Sequence, residues 1–201
     1  MDPSSIDTFT AFSGHRLLSA GRLREVALAV KRAVDDQSGG PVHIYDDRTG
    51  SILDLDTRGS DEDVLARLPK STVAAVADLP RGRGRPKLGV VAREVTLLPR
   101  HWDWLNAQPG GASVALRKLV DEARRSHAPK DRIRGAQNAA YRFMSAMAGD
   151  MPGFEEATRA LFANDAQRFS TLVANWPIDV RSYATRLAFL PEATEVGASD
   201  G

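Results

Sequence analysis

Prolines 69, 80 and 86 and glycines 82, 84 and 89 crowd one short stretch of this 201-residue chain. No helix or central strand runs through such spacing. Proline removes a backbone donor, and glycine adds backbone freedom that folding must remove. The stretch therefore reads as a boundary. It predicts an α+β unit over 8–58, then a short helix and a basic linker over 59–92. A strand-plus-helical domain over 93–190 and an acidic, disordered tail over 191–201 complete the chain.

Before the boundary, TFTAFSGHRLLSAG reads as two short strands about Ser13-Gly14, a turn dipeptide. LREVALAVKRAVDD follows, with Val26, Ala27, Val30, Ala33 and Val34 at helical spacing. VHIYDDRTGSILDLD reads as a second hairpin, turning at Asp47 to Gly50. The order predicts a small ββαββ unit, one helix covering a short antiparallel sheet. About 50 residues of this kind need a partner layer. In SDEDVLARL, Ser60 is placed as an N-cap and Asp63 as its capping-box acid.

Beyond the boundary, REVTLL is strand-like, and Pro99 fits the first position of a helix over HWDWLNAQ. Ser113 is placed to cap VALRKLVDEARRSH, with Leu116, Leu119, Val120 and Ala123 as its apolar stripe and His127-Ala128-Pro129 as its end. Helices alone follow: QNAAYRFMSAMA, GFEEATRALFAN, Ala166 to Trp176, and one over WPIDVRSYATRLAFL. Trp102 and Leu105 share a face and read as core, which leaves Trp104 more exposed.

A net charge of +1 hides a segregation. Arg81 to Arg134 holds 13 Lys/Arg against 5 Asp/Glu, and the remainder holds 14 against 21. A segment of this kind faces polyanions, or is drawn to acidic protein. No run approaches the roughly 20 apolar residues of a membrane span. The chain has no cysteine, and its first residues, MDPSSIDTFT, lack the pattern of a signal peptide. A cytoplasmic protein without membrane partners is expected.

The boundary also carries the sharpest motif. PRGRGRPK, residues 80–87, resembles an AT-hook, with Arg83-Gly84-Arg85-Pro86 as core and Arg81 and Lys87 as flanks. Gly84 lets the backbone lie on the floor of a narrow groove, and Pro86 holds an extended path. The arginines then enter the minor groove, where A·T tracts are narrow and strongly negative. Strand, Pro99 and two helices separated by Pro109-Gly110-Gly111 resemble the order of a ribbon-helix-helix module, which implies a homodimer. The strand departs from that pattern. Arg93, Val95 and Leu97 would face the groove, and Glu94, Thr96 and Leu98 the core. Arg93, Arg100, Lys130, Arg132 and Arg134 are candidate phosphate contacts. Arg117, Lys118, Arg124 and Arg125 stand opposite the apolar stripe, but Asp121 and Glu122 are spaced to pair with them.

No catalytic constellation, metal set or cofactor motif emerges. Asp46, Asp47, Asp54 and Asp56 read as turn caps and a solvated face rather than a cation site, and the four histidines lack ligand spacing.

Long stretches of the chain resemble a bacterial family of about 200 residues described only as a domain of unknown function. They are TAFSGHRLLSAG, RGRGRPKLGVVAREVTLLPRHWDWLNAQPGGASVALRKLVDEARR, YRFMSAMAGDMPGFEEATRALFAND and WPIDVRSYATRLA. The resemblance runs from Thr8 to Leu190 and implies one unit that includes the arm; it implies no activity. The residues themselves favour a DNA-binding protein with an AT-hook-like arm. The alternative is a non-enzymatic interaction or scaffold module with an acidic protein partner.

Overall fold

A computed structural model describes residues 8–36, 40–69 and 93–189. Four antiparallel strands form one sheet in the order β2-β1-β3-β4: β1 (Thr8–Ser13), β2 (Arg16–Arg22), β3 (Val42–Asp46) and β4 (Ile52–Leu53). Helix α1 (Leu23–Asp35) joins edge strand β2 to β3. The expected ββαββ unit is present. Gly14, at φ +54, makes the first turn, and Leu18 is the extra residue of a bulge where the β1–β2 register shifts.

Strand alternation gives the sheet two apolar faces. Phe9, Ala11, Val42 and Ile44 pack with Val26 and Val30 of α1. Phe12 and Tyr45 point the other way, into a larger core. That core belongs to the C-terminal helices: the end of α4 (Gly111–Met147), α5 (Phe154–Phe162), α6 (Ala166–Leu172) and α7 (Ile178–Ala188). Phe143, Met144, Leu161, Phe169 and Val180 are fully buried there. The missing partner layer of the small sheet is thus supplied by the C-terminal helices. Helix α2 (Asp61–Arg67) closes the α1 side, with Val64 and Leu68 against Ala27. Ser60 and Asp63 form the expected capping box.

Compact packing divides the chain into residues 1–69 with 130–201, and residues 70–129. In the second unit, Pro99 opens α3 (Pro99–Asn106), with Leu105 buried and Trp104 exposed. Among the described residues of this unit only Leu105 and Ala115 are buried.

Three expectations are corrected. Residues 93–98 form no strand. No described backbone lies alongside them as a ladder partner, and a stretch without a partner stays irregular. The helix expected to stop at Pro129 continues through it to Met147. Proline removes the bond to the Arg125 carbonyl and its ring crowds that carbonyl, but Arg125 is exposed, so the freed acceptor can turn toward solvent. Ser126 Oγ also donates to the Ala123 carbonyl one turn earlier. Last, Val34, expected on the apolar face of α1, is exposed.

Candidate functional site

Arg81, Arg83, Gly84, Arg85, Pro86 and Lys87 lie outside the described residues, as does the acidic tail. Arg93 is exposed on the irregular lead into α3, and Arg100 is exposed within α3. Lys130, Arg132 and Arg134 are exposed on α4.

The helix that carries the last three is unusual in its surroundings. Every residue from Arg117 to Gly135 is exposed. Within this run Arg117, Lys118, Arg124, Arg125, Lys130, Arg132 and Arg134 oppose only Asp121, Glu122 and Asp131. The i,i+4 pairs that the sequence offers do not close. Among the described residues, ion pairs are Lys31–Asp35, Arg58–Asp56, Arg67–Asp56, Arg159–Glu156 and Arg186–Asp47, and none involves the basic run. Over residues 117–125, Arg117, Lys118, Arg124 and Arg125 fall within about a third of a turn at 100° per residue. Chemically these are solvated cations without carboxylate partners among the described residues.

Sequence reasoning missed a second cluster. Asp47 follows β3, and its side chain is only 12% exposed. Its Oδ1 accepts from Thr10 Oγ1 and Tyr183 Oη, each at 2.7 Å, and its Oδ2 accepts from Thr8 Oγ1 at 2.9 Å. Arg186 approaches Oδ2 at 3.4 Å and lies over the Tyr183 ring. Burial, then the Asp47 carboxylate, pushes the Tyr183 phenol well above its usual range. Tyr183 and Arg186 are one turn apart on α7, so one helix face meets one strand end. All acceptor directions are used internally, which makes the cluster a staple rather than a reactive site. The signal in sequence was only a second aspartate in a turn.

The family model described as "Uncharacterized protein conserved in bacteria (DUF2239)" matches residues 8–188. The chain belongs to the DUF2239 family. The match spans the sheet, the exposed stretch of α4 and the staple together, so these DUF2239 features are parts of one family unit. No curated protein and no solved structure matches this DUF2239 chain.

Two other aspartates near the DUF2239 sheet are separately employed. Asp46 caps its turn through the Arg48 and Thr49 amides, and Asp56 holds Arg58 and Arg67. Among the described residues no group of three metal-ligating side chains assembles. A cleft of about 150 Å³ beside Val30, Val42 and Leu53 is smaller than the roughly 300 Å³ at which ligand pockets begin. No described helix is long and apolar enough to cross a membrane.

Proposed function

We propose that the protein binds nucleic acid through its basic central segment, as a cytoplasmic, non-enzymatic binding protein. The exposed run of α4 carries this reading. Seven cations stand there without carboxylate partners among the described residues. A helix that is solvated on every side and stripped of its compensating ion pairs gains most from a polyanion. Counterion release supplies the driving force. Arg93 and Arg100 add exposed charge in the same segment of sequence. The arm at Arg81 to Lys87 contributes an A·T-reading hook on the strength of its sequence.

Fluorescence anisotropy with A·T-rich and G·C-rich duplexes over a salt series tests this. The expected result is tight binding at low salt with a steep salt slope. Changing Arg117, Lys118, Arg124 and Arg125 to Gln reduces that slope by about 0.9 for each phosphate no longer neutralised. Arg83→Ala with Arg85→Ala removes the A·T preference and leaves most of the slope. Absence of binding at low salt sinks the reading.

A second reading rests on the other side of the same helix. Leu119 and Val120 are 43% and 54% exposed, an apolar strip that fits a scaffold docking an acidic protein. Competition by polyglutamate equal to that by DNA would favour it.

A further inference from the structure

Most aromatic side chains of the larger core are buried, yet two outside it, on the same helices, are held at the surface in contact with each other. Tyr141 of α4 is 40% exposed, and Phe162, the last residue of α5, is 48% exposed. Their ring centroids are 5.7 Å apart at a 54° tilt, so the rings meet at an angle rather than covering each other face to face. Their position is fixed from beneath. Gln137, one turn before Tyr141, is buried and donates from Nε2 to the carbonyl of Leu161 at 2.9 Å. That single bond ties the backbone beside Phe162 to the helix that carries Tyr141. The pair is therefore preorganised, and stacking a flat ligand on it costs little further ordering.

The same helix face continues into charge. Arg134 lies seven residues before Tyr141, two turns or about 10 Å along the axis, with exposed Asn138 between them. Arg134 has no carboxylate partner among the described residues. Rings, an amide and a free guanidinium in line match an unpaired nucleotide strand: bases stack, an edge is hydrogen-bonded and a phosphate is neutralised. A duplex offers no open base face to such rings, and an acidic peptide has no use for them.

We infer that Tyr141 and Phe162 form a stacking platform for single-stranded nucleic acid, with Arg134 as its phosphate contact. The inference rests on the nucleic-acid reading and adds to it a site for unpaired strands.

The test uses the full chain with a labelled oligothymidylate of about 16 nucleotides and a duplex of matching length. Polyglutamate serves as competitor. The oligothymidylate is expected to bind tighter than the duplex and to resist polyglutamate. Tyr141→Ala and Phe162→Leu are each expected to weaken it roughly tenfold or more while leaving the duplex unchanged. Phe162→Leu keeps apolar packing and removes only the ring, so a folding defect is separated from a stacking loss. Tyr141→Trp retains the affinity. Single-strand affinity unmoved by both ring variants, or displacement by polyglutamate, overturns the inference. Duplex binding with no single-strand preference overturns it and leaves the broader reading standing. Failure to bind either oligonucleotide overturns both.

Discussion

Asp47 is the residue on which the sheet and the last helix converge, since it accepts from two strand hydroxyls and from Tyr183. Asp47→Ala strands the buried Thr10 and Tyr183 hydroxyls and should cost about 2–3 kcal/mol. Tyr183→Phe removes one bond and should cost about 1 kcal/mol. Urea midpoints measure both, and the double variant should show less than the sum, because the groups form one network. Tyr45 makes the contrasting case. Its hydroxyl is buried with no partner among the described residues, and burial pushes its pKa up to about 12. Tyr45→Phe should therefore be neutral or stabilising near neutral pH. Both phenols bind their protons more firmly folded than unfolded. Their contribution is intact below about pH 10 and is lost as pH climbs toward 12, at about 1.4 kcal/mol per unit for each group. Denaturation curves at rising alkaline pH should show that fall, made shallower by Tyr45→Phe.

At the level of elements, the turn between β3 and β4 docks directly on α4. Gly50 sits at φ +66, and a Cβ there would invade the Ala139 carbonyl. Gly50→Ala meets a disfavoured left-handed conformation and a backbone clash together, and should cost about 3 kcal/mol in thermal or chemical unfolding. Helix α4 is the opposite kind of element, with a run from Arg117 to Gly135 that is exposed throughout. Pro129→Ala restores a donor and should slow amide exchange over that run while leaving global stability nearly unchanged. These elements also mark what could be read in advance. The alternation in TFTAFS and VHIYD, the capping box at Ser60 and Pro99 at a helix start are local signals, and each element stands where its signal put it. REVTLL and Pro129 misled because strand formation depends on a partner backbone. A proline in a solvated helix frees an acceptor that can turn toward solvent. The basic charge of Arg117, Lys118, Arg124 and Arg125 was visible as residue types, but the failure of their i,i+4 pairs to close was a matter of side-chain geometry.

Across the whole molecule, the larger core joins the first strand to the last helix. Phe12 packs on Tyr183, the Leu17 amide donates to Asp179, and Arg186 donates to Thr10. No window of sequence announces such pairings, which is why the staple at Asp47 could not be foreseen while the sheet could. A chain cut after Pro177 loses α7, so it should fail to unfold cooperatively although every strand is present; near-ultraviolet circular dichroism would show the loss of fixed aromatic packing. The same architecture sets an order of events during synthesis. The strands leave the ribosome well before the helix that seals Phe12 and Tyr45. At roughly 20 residues per second the wait is on the order of ten seconds. For that interval the nascent chain presents a bare aromatic sheet face, the kind of transiently exposed surface that makes crowded chains on a polysome prone to associate.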